Sequence, residues 1–487
     1  MNNAIDGLRP EPLWRYFAEL SGIPRGSKHE GKASAWVAGV AKRLGLEALT
    51  DSYGNVVVRK RSSKGRERTP GIVIQSHLDM VCEKNAATVH DFERDPIVLR
   101  RQGGFITADG TTLGADDGIG VAAGLALMEN SSVKHGPLEF LFTVDEETGL
   151  TGAHNLRNNF LRARILINLD SEEEGVLCVG CAGGMDSRGE TPVAFEPLPA
   201  RHRLFLLKVT GLRGGHSGLD IHRGRANAIK LMNRALEALA SCGTRLSSID
   251  GGNKRNAIPR EAEAVIAVLE KSLDAASRTV RELAKIYNHE YAATDPGIKL
   301  TIEKLRSKKS PVLKRASADA IRDLLYVLPN GVISMNADIP GLVQTSTNLA
   351  RVSTTKNAVV IETSQRSSVE SEKTDIVATV RAAFDLVGAS VSHGDGYAGW
   401  QPNLASSILK TARAVYRKRF KKEAVVKAIH AGLECGIIGD KYPGMDMLSI
   451  GPTLEMVHSP DERVPIDSVE RVWDFLVAVI EEVGARK

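Results

Sequence analysis

Gly71-Ile72-Val73-Ile74-Gln75-Ser76-His77-Leu78-Asp79 is a short apolar run that ends in a histidine and an aspartate. Its length and Val/Ile content predict a buried strand rather than a helix. The pattern recurs twice. Leu138–Thr143 leads into Val144-Asp145-Glu146-Glu147-Thr148-Gly149, and Ile165–Leu169 leads into Asp170-Ser171-Glu172. Each run delivers a metal-competent side chain just past its carboxyl end, which is where open α/β sheets form ligand sites. A fourth candidate, Asp116, stands in Thr112-Leu113-Gly114-Ala115-Asp116-Asp117-Gly118, ahead of a helix-like stretch at Ile119–Met128. A fifth, His458, stands in Val457-His458-Ser459-Pro460-Asp461-Glu462, after a short predicted strand at Met447–Ile450.

Outward from these strands, Glu11–Leu20 and His29–Leu44 show helical periodicity, with Trp36, Val37, Val40, Ala41 and Leu44 on one face. Asn55–Val58 predicts another strand and Ser468–Val483 a final amphipathic helix. Strands alternating with helices imply an α/β sheet with helices on both faces. The middle of the chain differs. Strand-like runs at Leu204–Val209, Ala264–Leu269, Ile298–Ile302, Leu342–Val352 and Ala358–Thr363 interleave with helical stretches at Ala226–Leu239, Leu273–Tyr287, Ala318–Leu325 and Thr374–Leu386. Polar and apolar residues alternate more there, as in a sheet covered on one face. The Gly-rich junctions Gly180–Gly184 and Gly394–Gly399 bracket this region. The expectation is an α/β domain built from residues 1–186 and 398–487, its sheet mostly parallel, with an α+β domain inserted at 187–397. A length of 487 residues exceeds one ordinary core and agrees with two domains.

With 42% hydrophobic and 25% charged residues, the composition is that of a globular chain and excludes a disordered one. A net charge of +5 is too small at this length to suggest a nucleic-acid partner. Two basic runs have local explanations. Arg59–Arg68 is expected to be a solvated hairpin loop between two strands, and Arg417–Lys422 the end of a helix, where cations suit the dipole. Met1–Pro12 has no apolar signal core, and no stretch approaches the roughly 18 apolar residues of a membrane span. Cys82, Cys178, Cys181, Cys242 and Cys435 are scattered and odd in number, which argues for a reducing cytoplasm and against a disulfide framework. Cys178 and Cys181 form a C-x-x-C without a second pair. Two half-buried thiols are expected there, rather than a redox couple or half a zinc site.

The donor set His77, Asp116, Glu147, Asp170 and His458 combines imidazole with carboxylate and lacks thiolate. That suits hydrolytic zinc, and also manganese or cobalt. Five ligands exceed what one catalytic zinc uses, whereas two metals sharing a bridging carboxylate would use all five. Taken singly, a buried histidine is more often structural and an acidic turn more often a cap; the shared placement at strand ends is what favours a site. The H-E-x-x-H helix signature, the P-loop and G-x-S-x-G are absent. Gly118-Ile119-Gly120 lacks the strand and third glycine of a dinucleotide fingerprint. Gly214-Gly215-His216-Ser217-Gly218 follows a predicted strand, so His216 is either a turn filler or a presented hydrogen-bond donor.

The same residues carry a resemblance. The sequence resembles, over essentially its full length, the bacterial aminoacyl-histidine dipeptidases of the aminoacylase and carboxypeptidase-G-like dizinc peptidase clan. The matching motifs are SHLDMV (76–81), TVHDFERDPI (88–97), TTLGADDGIG (111–120), EETG (146–149), NLDSEEEG (168–175), GCAGGMD (180–186), GLRGGHSG (211–218), RNAIPRE (255–261), HAGLECG (430–436), MDMLSIGPT (445–453) and HSPDE (458–462). The resemblance implies one zinc on His77 and Asp170, the other on Glu147 and His458, and Asp116 bridging them. It implies Glu146 as general base and Asp79 as the carboxylate that orients His77. It further implies that the inserted domain is a lid carrying a homodimer contact, and that His216 reaches the partner subunit's site to stabilise the oxyanion. Asn256, Arg366 and the backbone at Gly432 match positions that hold the substrate's C-terminal carboxylate, Arg366 on the short context QRSS. Asp117 stands where relatives often have Asn.

The implied activity is hydrolysis of dipeptides with a free C-terminus, of the Xaa-His type and broader, in the cytoplasm and without membrane or nucleic-acid partners. Glu146 would take a proton from the attacking water and pass it to the leaving amine. Amino-acid deacylation and Cys-Gly hydrolysis are rival reactions within the clan, and a non-catalytic metal- or peptide-binding protein is a rival outside it.

Overall fold

The computed structural model describes residues 3–306 and 310–485. The chain divides into two compact units. The first comprises Met1–Gly180, Trp400–Ala428 and Leu433–Lys487; the second comprises Cys181–Gly399 and Ile429–Gly432. The short return Ile429–Gly432 thus groups with the inserted unit, although in sequence it lies far beyond residue 397. The Ala182 N–H, which donates toward the carbonyls of Ile429 and Ala431, is one of the bonds that tie it there.

The first unit is built on an eight-stranded sheet. Its order is Glu47–Thr50, Val56–Lys60, Leu138–Thr143, Ile72–His77, Ile165–Asn168, Asp446–Ser449, Val176–Cys181, Val425–Ile429. The strands from Leu138–Thr143 to Asp446–Ser449 run parallel. Those flanking them pair antiparallel, so the sheet is mixed and its parallel part is its centre. Ile72–His77 and Leu138–Thr143 are buried at every residue, which explains their mainly apolar character, and their buried polar members such as Gln75 and Glu139 are hydrogen-bonded. The helix Ala115–Glu129 is buried along Ala115–Met128, as a helix apolar on all sides must be, and Glu11–Ser21 packs on it. The helix Ser407–Phe420 packs on Ile466–Gly484 and starts with the Ser406 hydroxyl accepting the Leu409 N–H at 3.1 Å. It carries Arg417, Lys418 and Arg419 in its last turn, as expected.

Two local expectations are corrected. The run Arg59–Arg68 is not a hairpin loop, because Leu138–Thr143 lies between Val56–Lys60 and Ile72–His77 in the sheet. Arg59 belongs to a strand and pairs with Glu139 and Glu47 at 3.1 and 3.0 Å. Cys178 and Cys181 are fully rather than half buried and lie inside the strand Val176–Cys181. Three residues apart on an extended strand, they point to opposite faces about 10 Å apart, too far for a disulfide.

The second unit has a nine-stranded sheet. Its main order is Lys299–Lys304, His202–Thr210, Ala262–Leu269, Arg245–Gly251, Val343–Thr354, Ala358–Ser367, Gly183–Pro192, Ser390–His393, with Gly331–Met335 also on Val343–Thr354. The pairings among its described strands are antiparallel. The helices Ala228–Ala240 and Leu273–Glu290 pack on it through Ile229, Met232, Leu236, Val280 and Tyr287. Burial alternates along His202–Thr210, the signature of one covered face. Gly180–Gly184, read as a junction, contains the end of the strand Val176–Cys181 and the start of Gly183–Pro192, and Gly184 bridges to Tyr397 of the other glycine-rich stretch.

Candidate active site

Three neighbouring parallel strands end together. The register pairs His77 with Thr143 and Gln75 with Asn168, so the loops after these strands start side by side. His77 closes its strand with its N–H on the Asp117 carboxylate at 3.1 Å. Glu146 and Glu147 open a one-turn helix after Asp145, whose left-handed φ of 53° turns the chain sharply. Asp170 lies two residues past its strand. Asp116 is at the buried start of Ala115–Glu129, where the backbone is not yet helical.

The geometry brings the five predicted metal ligands together. His77 Nε2 lies 3.1 Å from Asp116 Oδ1 and 3.3 Å from Asp170 Oδ1. His458 Nε2 lies 3.2 Å from Asp116 Oδ2 and 3.0 Å from Glu147 Oε1. Asp116 therefore offers one oxygen to each histidine and belongs to two separate ligand trios, His77–Asp116–Asp170 and Asp116–Glu147–His458. Donors on a tetrahedral zinc about 2.0–2.1 Å away lie roughly 3.3 Å from one another, so these separations fit the edges of two coordination polyhedra. His77, Glu146 and Glu147 also form a compact trio. Geometry alone therefore does not separate the base from a ligand; the bond from Glu147 to His458 is what distinguishes the two glutamates.

Charge agrees with that fit. Burial, aided by repulsion from Asp170, pushes the Glu146 carboxyl well above the usual carboxylate range. Burial likewise raises Asp170 to about 7, despite the opposing pull of His77. His458 goes up to about 11 because Asp116 and Glu147 bond its ring. Such a crowd of carboxylates calls for added positive charge, which two divalent cations would supply.

Asp79 and several residues without an earlier assigned role hold the loops. Asp79 was expected to orient His77, and its Oδ1 lies 3.3 Å from His77 Nδ1. Its oxygens also accept the N–H groups of Glu146 and Glu147 at 2.9 and 3.1 Å. Burial would raise Asp79, but His77 and these donors bring it down to about 2. Glu462, 2% exposed, accepts the backbone N–H groups of Leu113, Gly114, Ala115 and Asp116. Buried Arg25 donates to the carbonyls of Leu78, Asp79 and Gly114. Beneath the ligands, Gln75 and Thr143 donate to Glu434 at 2.7 and 2.6 Å, and Asn168 donates to Gln75. No periodicity marks such residues; only the motifs HSPDE and HAGLECG hinted at Glu462 and Glu434. A further acidic trio, Glu30–Asp79–Asp145, is taken up by backbone and hydroxyl donors.

His216, Asn256, Arg366 and Gly432 all belong to the second unit. Gly215–His216 pairs with Ala257–Ile258, and the Ser217 N–H donates to the Asn256 carbonyl at 2.8 Å. The N–H groups of Gly218 and Leu219 donate to His216 Nδ1 at 3.2 and 3.1 Å. Nδ1 is thereby an acceptor, so Nε2 carries the proton of the neutral ring. Burial, reinforced by Arg366, lowers the pKa and keeps the ring neutral. Arg366, 8% exposed, donates to the Tyr397 hydroxyl at 2.9 Å and pairs with no carboxylate among the described residues. A buried guanidinium without a counter-ion is suited to an anionic ligand. Gly432 lies against the Tyr397 ring.

Residues 73–482 match the model of peptidase family M20/M25/M40. The chain is 42% identical to the cytosol non-specific dipeptidase of Escherichia coli (strain K12), over 99% of both chains. The structure of aminoacylhistidine dipeptidase from Vibrio alginolyticus superposes with a TM-score of 0.91 at 38% identity, covering 98% of this chain and 97% of that one. Aminopeptidase PepT from Bacillus cereus shares the fold at a TM-score of 0.58 and 17% identity, over 98% and 99% of the two chains. The chain belongs to peptidase family M20/M25/M40.

Proposed function

We propose that this chain is a two-metal dipeptidase that cleaves dipeptides with a free C-terminus, Xaa-His among them. The observation that carries the reading is Asp116, which presents one oxygen to His77 and the other to His458. His77 and Asp170 would hold one cation, Glu147 and His458 the other, with Asp116 between. Zinc suits the donor set best, with manganese or cobalt as substitutes. When bound, the cations acidify the attacking water and polarise the scissile carbonyl.

The chain's own residues do the rest. Glu146, whose carboxyl burial pushes well above the usual carboxylate range, takes the proton from the attacking water and delivers it to the leaving amine. Asp79 orients His77, and its hold on the N–H groups of Glu146 and Glu147 sets the turn that carries both. Arg366, with Asn256 and the Gly432 backbone, binds the substrate's terminal carboxylate, which favours short peptides. His216 donates its Nε2 proton to the developing oxyanion, from the partner subunit of a homodimer whose contact lies on the inserted lid unit. The name of the Escherichia coli relative supports a cytosolic setting.

A substrate panel tests the reading. Protein loaded with zinc, manganese or cobalt should hydrolyse dipeptides, His-containing ones included, faster than N-acyl amino acids or Cys-Gly. Preference for an acyl substrate would reassign the reaction within the family, and inertness with all three metals would refute catalysis.

A further inference from the structure

The glycine-rich stretch Gly394–Gly399 brackets the inserted unit in sequence, yet it is built into that unit's sheet. The Gly184 N–H donates to the Tyr397 carbonyl at 3.1 Å, and the Tyr397 N–H donates back at 2.9 Å. Lys373 Nζ adds a bond to the same Tyr397 carbonyl at 2.6 Å. Glycine is required on both sides of this contact. A Cβ at Gly184 would lie 2.6 Å from the Tyr397 ring, and one at Gly183 would lie 2.5 Å from the Tyr397 carbonyl. A Cβ at Gly396 would lie 2.8 Å from the Gly184 carbonyl. Real side chains do not approach this closely, so these glycines let the tyrosine ring lie close against the strand.

The outcome is the position of one hydroxyl. Tyr397 Oη accepts a hydrogen bond from Arg366 Nη1 at 2.9 Å. A Cβ at Gly432 would meet the ring at 3.0 Å and Oη at 3.3 Å, so the hydroxyl stands between the guanidinium and the Gly432 backbone. Its oxygen is occupied as an acceptor, while its own proton has no acceptor among the described residues. A phenol polarised by a cation and left with a free proton is a strong donor to an anion.

We infer that Tyr397 is a substrate-binding residue whose hydroxyl donates to the peptide's C-terminal carboxylate, alongside Arg366. This rests on the reading that Arg366 holds that carboxylate. The tyrosine adds discrimination that a guanidinium alone lacks. Its proton rewards a charged oxygen, and its fixed ring limits how far a longer chain could extend past Gly432. Burial keeps the phenol protonated through the neutral range.

The test compares Tyr397→Phe, Arg366→Gln and the unaltered holoenzyme on one dipeptide as free acid and as C-terminal amide. Phe keeps the ring against Gly184 and removes only the hydroxyl. Tyr397→Phe should raise KM for the free acid about tenfold, leave kcat nearly unchanged, and leave the amide's KM as it was. An unchanged free-acid KM, or an equal rise for acid and amide, would overturn the inference. Arg366→Gln separates the two layers. If it abolishes the acid-over-amide preference while Tyr397→Phe does not alter it, Tyr397 alone is wrong. If Arg366→Gln leaves the preference intact, the carboxylate reading falls and the tyrosine's role with it.

Discussion

Individual carboxylates divide the labour of the site by where their oxygens point. Glu147 is tied to His458, Glu146 is not, and burial pushes the Glu146 carboxyl well above the usual carboxylate range, as suits the proposed base. Glu146→Gln should keep its metal and lose about a thousandfold in kcat, measured on a dipeptide after metal analysis. Asp79→Asn should loosen His77 and weaken metal binding by about ten- to a hundredfold, read by competition with a chelator. The histidines make that binding pH-dependent. In the metal-free chain His458 is raised to about 11 by Asp116 and Glu147. Its folded value lies above the unfolded one, so the stability it contributes is full below about pH 6.5 and is lost as pH rises through about 11. A metal must displace the same proton. Affinity should therefore rise with pH between 6.5 and 8.5, by about tenfold per unit for each proton released. A pH-independent affinity would contradict the ligand role of His458.

At the scale of elements, legibility followed burial. The strand runs at 72–77, 138–143 and 165–168 stood out in the sequence because parallel strands buried on both faces are mainly apolar. Their polar ends then marked the candidate ligands. Pairing was harder to see. The hairpin expected at Arg59–Arg68 fails because Leu138–Thr143, nearly eighty residues downstream of Arg59, inserts between the two strands, and local pattern carries no such long-range information. Arg25 and Glu462 escaped notice for a related reason. Each satisfies backbone groups of loops distant in sequence, so nothing near them announces the task. Their removal should be felt strongly. Arg25→Met would strand buried carbonyls at Leu78, Asp79 and Gly114. It should cost at least about 3 kcal/mol in urea unfolding of the metal-free protein. A loss below about 1 kcal/mol would show that these loops hold themselves.

For the molecule as a whole, the chain places its candidate metal ligands on one unit and the residues proposed to hold substrate on another. The resemblance supplied the link between them, since no spacing in the sequence relates His216 to a second subunit. That link is open to complementation. Neither His216→Ala nor Glu146→Gln should turn over alone. Mixed and allowed to exchange subunits, they should recover about a quarter of the normal rate, because half the dimers are hybrids and half the sites in each are complete. No recovery from verified hybrids would place His216 outside the partner's site. The central claim, two cations joined by Asp116, is tested most directly by titrating metal-free protein with zinc while following dipeptide hydrolysis. The rate should be absent without metal and reach its plateau at two zinc ions per chain; full activity at one zinc per chain, or in the presence of a strong chelator, would contradict it.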